Sequence, residues 1–136
     1  MKLVASLFGF VFLVLSIVEI LSSLGMNFEP YVYTMNDPLA GYTLLIISLL
    51  YLTGGVKYSG DDREGLSYIF VASLLATILA GVEIAIMVSD AVEAYLLFSE
   101  DYAGWSILND LYPHLIFGLL AVLTLRKSER MLRGQN

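Results

Sequence analysis

The chain has 136 residues, 58 % of them hydrophobic and 15 % charged, and its mean hydropathy is +0.78. Soluble domains average about half apolar and roughly a quarter charged, and here the apolar excess gathers into four long runs, which excludes an ordinary soluble domain, a disordered chain and a collagen-like one. The absence of cysteine excludes disulfide-stapled folds, thiol relays, iron–sulfur clusters and cysteine-based zinc sites, one histidine cannot supply two axial ligands to haem, and a net charge of −6 gives no footprint for nucleic acid.

The first run covers residues 3–25 and is interrupted only by Glu19. Crossing about 30 Å of hydrocarbon takes about 20 helical residues, so this run suffices. It is also longer than the roughly 7–15 apolar residues of a signal peptide, and so reads as a retained helix. The second run, 39–56, opens on Asn36-Asp37-Pro38, an Asn or Asp cap followed by proline in the first helical turn, and the span is placed at 38–56. Gly54, Gly55 and Gly60 soften the turn that follows, and Asp61, Asp62, Arg63 and Glu64 make a solvated start to the third helix. The third run, 66–88, encloses Glu83, and residues 89–98 either extend that helix or lie along the membrane surface. The fourth run, 111–125, is short and borrows flanking turns to span 110–126. Asn109-Asp110 before Pro113 reads as its cap, and residues 127–136 as a polar tail.

Charge gives the orientation. The basic residues Lys2, Lys57, Arg63, Arg126, Lys127, Arg130 and Arg133 all fall at the N-terminus, in the second loop or in the tail. The first and third loops carry only acids: Glu29, Asp37, Asp90, Glu93, Glu100, Asp101 and Asp110. The positive-inside rule then puts both termini in the cytoplasm of a multi-pass protein of the cell membrane. Tyr31, Tyr33, Tyr42, Tyr102, Trp105 and Tyr112 flank the outer ends of the spans, and Tyr58 and Tyr68 the inner ends, as an aromatic belt does.

A short internal repeat runs through the chain. Val18-Glu19-Ile20 and Val82-Glu83-Ile84 each precede an acidic loop, an Asn-Asp pair and another span, which is the pattern of two helical hairpins entering the membrane in the same direction. Helical spacing gives each span a small or polar stripe: Ser16, Glu19 and Ser23; Asp37, Gly41, Ser48 and Gly55; Ala72, Ala76, Ala80 and Glu83 with Ser73, Thr77 and Gly81 beside them; and Asp110, His114, Gly118 and Ala121. Such stripes let helices approach closely.

An intramembrane acid costs free energy and faces the protein interior or an aqueous cavity, and a shared proton or a nearby cation lowers that cost. The candidate proton or cation site is therefore Glu19, Glu83 and His114, with Asp37 and Asp110 at its mouth. Carboxylates with one imidazole suit zinc, iron or manganese by ligand type, although no ExxH spacing supports a metal. The simpler role for these groups is hydrogen-bonded packing across the bundle, and for the two aspartates, helix capping.

No catalytic motif, nucleotide-binding loop or cofactor fingerprint is present, so no enzyme, catalytic residue or cofactor is expected. The fold expected is all-α: one transmembrane domain over residues 1–136, a bundle of four antiparallel helices. Its leading function is that of a non-enzymatic membrane subunit or scaffold in the lipid bilayer, acting through helix packing and its acidic loops within a homo-oligomer or a larger membrane complex. The alternative is a small proton- or cation-coupled carrier or ion-binding protein using the glutamates. A third reading is lipid or quinone binding in the outer half of the bundle.

Overall fold

In the computed structural model the described residues are 1–27, 34–58 and 63–134. Glu29, Tyr31, Tyr33, Gly60, Asp61 and Asp62 lie outside them, as does the side chain of Asn109. Four helices follow in order: α1 (Lys2–Ser23), α2 (Pro38–Lys57), α3 (Arg63–Tyr95) and α4 (Pro113–Leu132). Helices α1, α2 and α3 are long and apolar enough to cross a membrane. Helix α4 has the length, but Arg126, Lys127, Glu129 and Arg130 occupy its last turns and leave an apolar stretch of 113–125.

Apolar side chains lie on both faces of α1. Ala5, Gly9, Phe12, Ser16, Glu19 and Ser22 are buried, whereas Leu3, Leu7, Phe10, Val14 and Ile17 are exposed at alternating spacings of four and three. Helices α2, α3 and α4 likewise expose large apolar residues, among them Ile46, Ile78 and Leu123. A continuous coat of this kind is untenable in water and natural against lipid tails. The protein is an all-helical integral membrane bundle.

The closest pairings are α1 with α2 and α3 with α4, so the bundle is two antiparallel hairpins joined mainly through α2 and α3. Helix α1 barely touches α4, and Phe8 reaches Phe117 edge-on, with ring centroids 6.4 Å apart. Small residues set the separations. A Cβ on Gly118 would lie 2.8 Å from the Ala80 Cβ and 2.9 Å from the Ala76 carbonyl oxygen, so α4 lies directly against the backbone of α3. Gly41 holds the same kind of position on α2, where a Cβ would lie 3.2 Å from the Ile20 backbone nitrogen.

Several boundaries differ from the sequence reading. Helix α3 continues to Tyr95 and has 33 residues, about 50 Å at ~1.5 Å per residue, so it outruns a hydrocarbon core of about 30 Å. Helix α4 starts at Pro113 rather than 110 and continues to Leu132, so most of the supposed tail is helical. Asp110 is not its cap: it closes the short 3₁₀ turn Ile107–Asp110, and Tyr112 is the residue before the helix, without a side-chain capping bond. Leu111, between them, lies outside helical geometry. On α1 the polar stripe ends on Ser22, which is buried, rather than on Ser23.

The middle of the bundle is filled by Phe12, Leu44, Ile47, Tyr51 and Ile69, all essentially inaccessible. Tyr51 of α2 stacks on Phe12 of α1 and turns its hydroxyl to Ser73 Oγ on α3 at 2.9 Å and Thr124 Oγ1 on α4 at 3.1 Å. Ser73 and Thr124 close the triangle at 2.7 Å. Hydrogen bonds between membrane helices average about 0.6 kcal/mol and reach about 1.7. Tyr51→Phe keeps the ring and removes only the hydroxyl, leaving the Ser73–Thr124 bond in place. It should therefore lower stability in detergent by about 0.5–1.5 kcal/mol, measured by thermal or denaturant unfolding; a loss above about 3 kcal/mol would mean that Ser73 and Thr124 do not satisfy each other.

Candidate ion site at the acidic end

The loops after α1 and α3 meet at one end of the bundle, and there both membrane glutamates turn inward. Glu19 is 2 % exposed and lies about one turn before the end of α1. Its Oε1 accepts a hydrogen bond from the backbone N–H of Asp37 at 3.2 Å. Asp37 in turn caps α2, its Oδ1 accepting from Leu39 N–H at 2.9 Å, with Pro38 opening the helix. The first N–H groups of a helix have no partner within it, and its dipole is positive at that end. Two carboxylates at the start of α2 therefore have a local electrostatic reason to be there.

Glu83 occupies the equivalent place in the second hairpin. It is 5 % exposed, and its Oε1 meets Nε2 of His114, itself 3 % exposed, as an ion pair in the first turn of α4. The contact is close, but its angles are not those of a hydrogen bond. The Tyr112 ring stacks on the imidazole, with centroids 5.6 Å apart and planes 10° from parallel. The second oxygen of Glu83, Oε2, has no hydrogen-bond partner among the described residues, nor has the buried hydroxyl of Ser16 one turn below Glu19. Buried polar atoms in this state are uncommon in folded proteins, and each calls for a physical reason.

Above Glu83 the surface opens into a pocket of about 100 Å³ lined by Glu83, Ile86, Asp90, Asp110, Tyr112 and Met35. Trp105 Nε1 donates to Asp110 Oδ2 at 3.2 Å, and the Asp110 carboxyl shares a hydrogen bond with Asp90. Burial, then that bond and the charge of Asp90, push the Asp110 carboxyl up from the ordinary carboxylate range, against the opposing bond from Trp105. The Tyr112 phenol is also pushed up, first by burial and then by the charges of Asp110, Glu19, Glu83 and Asp90. Tyr112 thus feels both membrane glutamates.

The five residues singled out from the sequence therefore form two centres. Glu19 and Asp37 meet at the head of α2; Glu83 meets His114 at the head of α4, with Asp110 across the pocket. No group of three or more His, Asp or Glu among the described residues is arranged to hold a metal ion. Two contributors were undervalued in the sequence. Asp90 reads there as one loop acid among several, yet it lies two helical turns beyond Glu83 on a helix that does not stop at the membrane. Tyr112 reads as an interfacial anchor, and it is the wall between the imidazole and the pocket.

Residues 1–130 match the family model described as "MJ0565 integral membrane domain". Over 123 residues the chain is 34 % identical to the "Uncharacterized protein MJ0565" of Methanocaldococcus jannaschii, a match that covers 88 % of this chain and 82 % of that protein. No solved structure matches the chain.

Proposed function

Since the chain belongs to the MJ0565 integral membrane domain family, we propose that it is a small non-enzymatic membrane protein that binds protons or cations at the acidic end of its bundle. The observation that carries this reading is the Glu83–His114 pair, buried within the bundle with one carboxylate oxygen unpartnered. Asp90 and Asp110 line the pocket beside the pair, and no Lys or Arg among the described residues lines it, so the region attracts positive charge. An ion-binding role is favoured over transit through a single chain. Below the pair the bundle is filled by Tyr51, Phe12, Leu44, Ile47 and Ile69. The distribution of basic residues orients the acidic end away from the cytoplasm of the cell membrane, with both termini inside.

The scaffold reading is favoured by a different observation. Helices α1 and α4 are the least engaged neighbours in the bundle, which leaves a seam that a second copy or a partner helix in the bilayer would fill. The two roles are compatible in a subunit of a larger membrane complex.

Because His114 is the only histidine, its imidazole signals in the NMR spectrum of histidine-labelled protein are unambiguous. Glu83 and His114 are in direct contact, so what changes at the carboxylate reaches the imidazole. The His114 signals should respond to added acid and cations, and that response should change in Glu83→Gln. His114 signals that ignore the Glu83→Gln change would overturn the proposal and leave the pair a packing contact.

A further inference from the structure

The pocket above Glu83 holds more than a proton needs. Its volume is about 100 Å³, room for several waters, and it is open to the surface. Bare divalent metals require several oxygen or nitrogen ligands at close range, and no group of three or more His, Asp or Glu among the described residues is arranged to supply them. What the pocket offers instead is a 95 %-buried glutamate in its lining with an unpartnered carboxylate oxygen just beneath the surface, two further aspartates, and the apolar walls of Ile86 and Met35 beside the Tyr112 ring.

We propose that this pocket is a binding site for a small protonated amine, ammonium or a short primary alkylammonium, whose N–H donates to Glu83 Oε2. The inference rests on the ion-binding reading above and names its ligand class. An ammonium group carries charge and directed N–H donors together, so it satisfies the orphaned oxygen in a way that a spherical ion must match with a full coordination shell. A short carbon stem lies against Ile86 and Met35, and the Asp90–Asp110 pair supplies attraction at the entrance. The Tyr112 ring, already stacked on His114, presents an electron-rich surface to the same cation.

The test is titration of the purified full-length protein in detergent with methylammonium chloride, with heat and the His114 imidazole NMR signals as readouts. Potassium chloride and tetramethylammonium chloride at equal ionic strength are the comparisons. Methylammonium should bind saturably and shift the His114 signals. Tetramethylammonium has the charge but no N–H donor, and potassium has the charge in spherical form; each should bind at least about tenfold more weakly, the worth of one charge-assisted hydrogen bond. Asp90→Asn combined with Asp110→Asn, which removes the charge that the two hydrogen-bonded carboxyls hold at the mouth, should weaken methylammonium about fivefold. Glu83→Gln should abolish the His114 response to methylammonium.

Equal binding of potassium would overturn the ligand class and leave a site for monovalent cations. Absence of binding by all three salts, with a His114 response to acid that still changes in Glu83→Gln, would overturn the amine site and leave the proton reading standing. A His114 that responds neither to the salts nor to Glu83→Gln would remove both.

Discussion

Replacing His114 with alanine should lower the unfolding stability of the detergent-solubilised protein by about 3–5 kcal/mol, the usual cost of stranding one partner of a buried ion pair. Both side chains are 3 % exposed, so water cannot take over for the imidazole without opening the junction of α3 and α4. The loss combines an uncompensated carboxylate with the space the ring leaves beneath Tyr112. The companion Glu83→Gln keeps the side-chain volume, removes the charge and should cost less. Unfolding curves of both variants beside the parent protein check the expectation. A loss below about 1 kcal/mol for His114→Ala would place the pair in solvent-like surroundings.

The second large effect belongs to the seam between α3 and α4. Ala76→Leu should destabilise by about 1–3 kcal/mol, toward the upper part of that range, because the new side chain meets a backbone rather than a movable side chain. Ala76 is 1 % exposed, and its carbonyl oxygen lies 2.9 Å from where a Cβ on Gly118 would stand. Leu74, two residues away and 38 % exposed, faces outward. Leu74→Met should change stability by less than about 0.5 kcal/mol. Thermal unfolding of the two variants side by side decides the matter, and equal midpoints would mean that the α3 stripe does not hold α4.

The contrast between those two positions was legible in the sequence, for a simple reason. Ala72, Ala76, Ala80 and Glu83 recur at helical spacing, and all four are buried. The cap at Asp37 was equally readable, since an Asp followed directly by proline acts within a single turn. The same logic failed at Asp110, where the residues between it and Pro113 are not helical and the carboxyl is taken instead by Trp105 and Asp90. Local spacing cannot report a partner 20 positions away. For the same reason it gave no notice of the hydroxyl triangle: Tyr51, Ser73 and Thr124 sit on three different helices, and only packing brings them together. The end of α3 was undecided because Ser89 and Asp90 close the apolar run without breaking a helix, and no glycine or proline follows before Gly104.

The two glutamates illustrate both outcomes at once. The sequence joined both with His114 in one candidate site on the cost of an acid against lipid, and both are buried, but each contacts the head of the following helix separately, Glu19 at Asp37 and Glu83 at His114. What each meets there differs, a backbone N–H in one hairpin and an imidazole in the other. The two hairpins therefore differ in chemistry at this end, and in the second the Glu83 Oε2 is buried without a hydrogen-bond partner among the described residues.

The indole of Trp105 bonds to Asp110 at the rim of the pocket, and it is the only tryptophan in the chain. All of the protein's tryptophan fluorescence therefore originates within hydrogen-bonding reach of one acidic side chain. A change in the charge state of that carboxyl, or in what occupies the space beside it, alters the electric field across the emitter itself. The protein carries its own optical gauge, already installed at the entrance and requiring neither label nor substitution to be read.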